Sequence, residues 1–192
     1  MAADSGAVKF DLAQIPRFTL LAGAVVYRVH LQDHHPWFFG SGETRFSLPQ
    51  PHGTCYLATK PLGAFMETLG RAPTIDRSRI TERRLSALMV STDTELLDLR
   101  SNKIVGAGLD ASVSAGTDLG PSQMLAVSAD THGLMGVAYP VRHSPDGLQT
   151  GIALFADSGE HRDRPVLGTD RISDSLIADA AQIYGVSVEP LR

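Results

Sequence analysis

The chain has 192 residues, 43% of them hydrophobic and 20% charged, with a net charge of −4 and one cysteine, Cys55. That length buries one good core without needing a second domain, and the negative balance argues against a protein that holds nucleic acid by bulk positive charge. A lone cysteine excludes an internal disulfide framework and a Cys-rich metal site, and Cys55 reads as a small buried hydrophobe. The start, Met1 to Phe10, lacks the basic and apolar blocks of a signal peptide, and no apolar run nears the roughly 18 residues of a membrane span. A soluble, cytoplasmic protein with no membrane or direct nucleic-acid contact is the expectation.

In chain order, residues 1–19 read as a peripheral segment and residues 20–192 as the domain proper. Gly23 marks a turn, and Val25 to His30 has the β-branched and aromatic content of a strand. Alternation would put Tyr27 and Val29 on one face and Arg28 on the other, where it either meets solvent or lines a pocket. Gln32 to Leu48 is a long loop with three adjacent aromatics and two glycines, which suits a binding loop. His34 and His35 are adjacent and lack convergent partners, so no metal site is expected.

Gly53 to Arg71 is the stretch around which the rest is organised. A short strand, Thr54 to Ala58, turns at Thr59-Lys60-Pro61 into a helix with Pro61 in its first turn, Thr59 or Lys60 at the cap and Gly70 as the stop. Leu62, Phe65, Met66 and Leu69 form its apolar face, and Glu67 sits beside that face. Ala72 to Arg84 reads as a solvated, arginine-rich segment leading into a strand over Leu85 to Val90. Thr94 to Leu99 is a strand or a short helical turn, and 101–120 a loop with one helical turn. A helix is predicted over Pro121 to Thr131 with Met124, Leu125 and Ser128 near one face. Strands follow at Gly136 to Tyr139 and Gly151 to Phe155, then a polar loop over Asp157 to Asp170 and a helix over Ser173 to Tyr184 stopped by Gly185.

No phosphate loop with a following lysine and no local nucleophile motif is present. What remains is Arg28, Arg45, Tyr56 and Glu67. Guanidinium forks bind phosphates, a tyrosine stacks on a planar ring, and a carboxylate stabilises a developing cation. Those parts suit a dinucleotide cut at a glycosidic bond, through an oxocarbenium-like transition state.

Tyr27-Arg28-Val29-His30, Thr44-Arg45-Phe46-Ser47, Gly53 to Ala58 and Ala64-Phe65-Met66-Glu67-Thr68, in that order, resemble the signature of the RES domain family. Pro121-Ser122-Gln123, Gly136 to Tyr139 with Arg142-His143, and Gly151 to Phe155 extend the likeness over about residues 20 to 185. The resemblance implies a single α/β (α+β) domain with a central mixed sheet, similar to ADP-ribosyltransferase toxins. It also implies an NAD-degrading toxin of a bacterial toxin–antitoxin pair, with NAD as substrate, phosphate as a further acceptor besides water, and no metal. The implied partner is a helix-turn-helix antitoxin that covers the active site in a hetero-oligomer. By position, the resemblance makes Arg28, Tyr56 and Glu67 catalytic, and assigns Arg45, Ser122, Arg142 and His143 to binding NAD. Many members read Tyr-x-Ser-Arg where this chain has Tyr139-Pro140-Val141-Arg142, so the serine falls to Ser122. Transfer of ADP-ribose to a protein, or a catalytically inactive binding module, are the alternatives.

Overall fold

The computed structural model describes residues 10–189; the first nine residues of the predicted peripheral segment lie outside the described residues. Eight strands form one sheet in the order β1 (Arg17–Leu20), β7 (Thr94–Asp98), β8 (Gly136–Pro140), β9 (Thr150–Asp157), β4 (His52–Ala58), β2 (Val25–Leu31), β6 (Arg83–Met89) and β11 (Val166–Arg171). All neighbours are antiparallel except β7 and β8, whose parallel pairing is what a crossover through helices allows. That crossover carries α3 (Ser112–Ala115) and α4 (Gly120–Thr131). Two small sheets flank the large one: β3 (Phe38–Phe39) with β10 (Gly159–Glu160), and β5 (Thr74–Asp76) with β12 (Ser187–Glu189).

The two faces of the sheet are used differently. On one face, Val137, Tyr139, Ala153 and Phe155 pack with Leu125, Ala126 and Ala129 of α4. Beside them on that face, Val29 and Ala58 pack with Ala64, Phe65, Met66 and Leu69 of α1 (Pro61–Leu69) and with Leu176 and Ala180 of α5 (Asp174–Tyr184). The alternate residues of the same strands, Val26, Cys55, Leu57, Ala138, Ile152 and Leu154, turn to the other face and pack with Trp37 and Phe39. Two helical layers thus lie side by side on one face, and a seam runs between them.

α1 forms where the sequence places it. Pro61 opens it, Lys60 rather than Thr59 takes the cap without a side-chain bond, and Gly70 closes it with its N–H donating to the Met66 carbonyl. α5 ends at Gly185 in the left-handed conformation, φ 68°. Other segments differ from expectation. The boundary at residues 19 and 20 cuts through β1, and Leu12 and Ile15 ahead of it are buried in the core. The segment before β6 holds β5 and α2 (Arg77–Thr81), anchored by the buried Ile75 and Ile80; its charges mask two core residues. α4 buries Ser122, Leu125, Ala126 and Ala129 and leaves Met124 exposed, because small residues rather than the methionine meet the sheet. The polar stretch after Asp157 contains β11, an edge strand almost wholly exposed, with no alternation to announce it. Among the described residues, no helix is long and apolar enough to cross a membrane.

Gly151 pairs with Tyr139 across β8 and β9, and the tyrosine ring lies over it: a Cβ added at Gly151 would stand 2.5 Å from Tyr139 Cζ. Tyr139 is fully buried, so its ring has no cheap retreat. Gly151→Ala is expected to lower the unfolding free energy by about 1–3 kcal/mol. Urea denaturation measures this; a variant as stable as the parent would show that the ring is free to shift.

Candidate active site

A cleft of about 260 Å³ opens at the seam between the two helical layers. Its floor is the sheet, through Tyr56 of β4 and Tyr139 of β8. α1 contributes Glu67 and Thr68, and Arg71 follows its stop. The loop before β4 brings Glu43, Thr44 and Arg45; the crossover brings Ser114 and Leu119; the turn after β8 brings Arg142 and His143.

Glu67 is the deepest charge in the cleft. Its Oε2 and the Tyr139 hydroxyl are both buried without a hydrogen-bond partner among the described residues. Burial pushes the Glu67 pKa up, opposed by the nearby Tyr139 hydroxyl and by the positive charges of Arg45 and Arg71. Tyr139 in turn titrates well above an ordinary phenol, through burial and then the Glu67 charge. A buried carboxylate and phenol with unused hydrogen-bonding capacity, facing a cleft, mark a place prepared for a polar or cationic group.

Tyr56 is fixed through its hydroxyl, which accepts from the Phe46 N–H at 2.8 Å and lies 3.0 Å from Thr44 Oγ1. Burial pushes its pKa up to about 12. Arg45 is braced from its tip, Nη2 donating to the Gly116 carbonyl at 2.6 Å and Nη1 to that of Val113 at 3.4 Å. This ties the loop before β4 to α3. Burial lowers the Arg45 pKa, with Arg142 adding to the effect, and Glu67 offsets it. His143 is lowered too, by burial first and then by Arg142, Arg71 and Arg45, which keeps its imidazole neutral at neutral pH. Arg71 and Arg142 are exposed, with no hydrogen bond or ion pair among the described residues, so their forks are free to meet an anion.

Five of the residues singled out in the sequence therefore converge: Arg45, Tyr56, Glu67, Arg142 and His143. Two do not. Arg28 shares the Val26 side of β2, opposite Tyr27 and Val29, and so leaves the face that carries the cleft. Its Nη1 donates to the carbonyls of Pro36 and Phe38 at 2.5 and 2.9 Å, making it a brace for the aromatic loop. Ser122 has 0% exposure, and its hydroxyl donates to the Leu119 carbonyl at 2.8 Å, so it closes the first turn of α4 behind the cleft wall. Val141 is 1% exposed, belongs to the core cluster that includes α1 residues, and does not line the cleft.

Arg71 and Tyr139 escaped the sequence reading. Arg71 had a weak signal, since it directly follows Gly70, the stop of the helix that carries Glu67. Tyr139 had a weaker one, as an aromatic on a short strand beside a glycine-led partner. Among the described residues, no group of three or more His, Cys, Asp or Glu could hold a metal ion.

The two free or braced kinds of arginine predict different mutant behaviour. Arg28→Ala should lower the unfolding free energy by about 2–3 kcal/mol, since it strands two part-buried carbonyls, whereas Arg142→Ala should stay within about 0.5 kcal/mol of the parent. Denaturant titration of both variants checks the contrast, and equal stabilities would refute the brace.

The raised Glu67 pKa has its own signature. A carboxyl whose folded pKa lies above its unfolded value favours folding below the unfolded pKa and loses that advantage as pH rises through the folded one. Glu67→Gln is therefore expected to be more stable than the parent at neutral pH. Its advantage should shrink as pH falls from neutral toward the ordinary glutamate value of roughly 4.3, and be gone below it. Thermal unfolding across that range reads the effect; a constant difference would contradict it.

A model of the RES domain matches residues 25–179 of the chain. The fold is shared with a chain in the crystal structure of the M. tuberculosis MbcT–MbcA toxin–antitoxin complex, at a TM-score of 0.65 and 19% identity, covering 90% of this chain and 98% of that one. The α/β architecture with a large mixed sheet is thus common to both. No curated protein matches the chain.

Proposed function

The chain belongs to the RES domain family, and on that premise we propose that it is the toxin of a bacterial toxin–antitoxin pair and acts by cleaving NAD between nicotinamide and ribose. The observation that carries this reading is the Glu67 carboxylate, one oxygen of which is buried and unpartnered, at the base of a cleft rimmed by Arg45, Arg71 and Arg142. A dinucleotide offers the complement of both, a diphosphate for the arginines and a cationic nicotinamide riboside for the carboxylate.

The residues fit such a substrate in detail. Arg71 and Arg142 have unused forks for the diphosphate, and Arg45 offers the donors left over from its bonds to Val113 and Gly116. Tyr56, held by Thr44 and Phe46, presents a fixed aromatic edge to the planar nicotinamide. When the C1′–N1 bond breaks, the electron pair leaves with neutral nicotinamide and C1′ becomes an oxocarbenium ion. The Glu67 anion stabilises that cation in a site largely shielded from water, where the attraction is strong. An oxygen of water or phosphate then bonds to C1′. With water as acceptor, the proton passes to Glu67, whose burial raises its proton affinity. Arg28 and Ser122 have no part in this chemistry.

The same cleft fits an antitoxin partner. A protein segment laid over the exposed Arg71 and Arg142 would block substrate without altering Glu67, and a helix-turn-helix antitoxin is the partner proposed.

Purified protein freed of any partner is expected to release nicotinamide from NAD, in assays run with and without phosphate. Glu67→Gln should lower kcat by about a hundredfold or more, the usual cost of losing a transition-state electrostatic contact. Chromatography of the products separates free ADP-ribose from its phosphorylated form and names the acceptor. Tight NAD binding without nicotinamide release would replace this reading with a binding module, and label retained on protein would replace it with ADP-ribosyl transfer.

A further inference from the structure

The cleft around Glu67 is too small for the whole of the proposed substrate. At about 260 Å³ it lies below the roughly 300–1,000 Å³ typical of sites for drug-sized ligands, and a dinucleotide is at the large end of such ligands. A second cavity of about 520 Å³ adjoins it, and Ser114 and Arg142 line both. Its walls are Ile104 and Val105 of the turn after β7, Ala111 and Ala115 of the α3 segment, and Pro140 and Pro145 around the turn after β8. Val105 is 70% exposed, an uncovered aliphatic side chain at the mouth of a concave apolar surface. Asn102 and Asp110 supply the polar edge.

Resting on the NAD reading, we infer that this groove is the subsite for the adenosine half of the dinucleotide, with Arg142 at the junction holding the diphosphate. The chemistry of each compartment matches one part of the ligand. The carboxylate end takes the cationic nicotinamide riboside. The arginine between the compartments takes the anionic bridge. The aliphatic and proline walls take the flat, weakly polar base, whose ring faces need apolar contact and whose edge needs a few hydrogen bonds. Ser114 and Arg142 stand between the two compartments, and the exposed Arg142 marks where the diphosphate would cross from one to the other. Arg100, also on the wall, is committed elsewhere: Nε donates to Asp98 Oδ1 at 2.7 Å, and its guanidinium stacks 4.3 Å from the Phe18 ring. Arg142, with no such tie, is the cation left for the ligand.

The groove is a specificity element, so its test compares NAD with nicotinamide mononucleotide, which has the same scissile bond and lacks the adenosine half. Wild type should prefer NAD in kcat/KM. In Ala115→Trp, which fills the groove from an exposed helical position, that preference should fall about tenfold, through a rise in KM for NAD. Val105→Glu, which sets an anion at the groove mouth, should act in the same direction. Thermal unfolding confirms that both variants are folded. A folded Ala115→Trp that keeps the wild-type preference overturns the inference, as does an equal loss with both substrates. If wild type releases nicotinamide from neither compound, the catalytic reading fails separately. The groove is then judged by calorimetric titration with AMP. Binding that Ala115→Trp abolishes upholds it, and absence of AMP binding to wild type overturns it.

Discussion

One buried carboxylate sets the terms for the rest of this molecule. Glu67 sits at the base of a cleft with an oxygen that no hydrogen bond satisfies, beside a phenol in the same condition. Such a pair is costly to hold in a folded protein, because the phenol and one carboxylate oxygen have left water without fully replacing what water gave them. The chain tolerates it by building firmly on either side. α1 is packed through Ala64, Phe65, Met66 and Leu69, and the Tyr139 ring is locked over Gly151. Arginines around the rim soften the penalty without pairing with the carboxylate, since a direct ion pair would use up the charge that the cleft presents. Local instability at a site that the surrounding packing over-determines is the usual physical mark of function.

The seam explains how one cleft can gather residues from so many segments. Tyr56 and Tyr139 belong to the layer packed on α4, while Glu67 comes from the layer packed on α1. Neither layer alone encloses anything. Where the two meet over the sheet, the floor is rigid and the walls come from loops, an arrangement that lets side chains be placed finely while the frame stays fixed.

How much of this was legible in the sequence varies with the physics of each element. Pro61, the 3.6-residue spacing of Phe65, Met66 and Leu69, and Gly70 define α1 through local rules, and Glu67 followed from them. The parity of β2 was equally legible: Arg28 does oppose Tyr27 and Val29. Parity cannot say which face of a sheet will carry the site, because that depends on where distant helices pack, and so Arg28 passed for a cleft residue. Ser122 failed for a related reason, since a hydroxyl in the first turn of a helix serves a nearby carbonyl as readily as a ligand. β11 left no mark because an edge strand exposed along nearly its whole length needs no alternation. The resemblance to the RES family gave the fold and most of the cleft, yet it could not distinguish a residue that touches the cavity from one that braces the loop behind it.

The strand order carries a consequence for the chain as it is made. β4 bears Tyr56 at the centre of the sheet, and its long partner on one side is β9, which ends at Asp157; toward β2 it has a single paired position, Tyr27 with Ala58. Arg142 and His143 also arrive late, after β8. A nascent chain that has delivered Glu67 already holds Tyr56, Arg45 and Arg71, but it lacks Tyr139, Arg142 and the long partner strand of β4 until the ribosome has passed the ninth strand. Non-local pairing of this kind is slow to form. The cleft is thus completed only once β9 is in place, and a fragment cut before β8 carries the glutamate without Tyr139, Arg142 and His143.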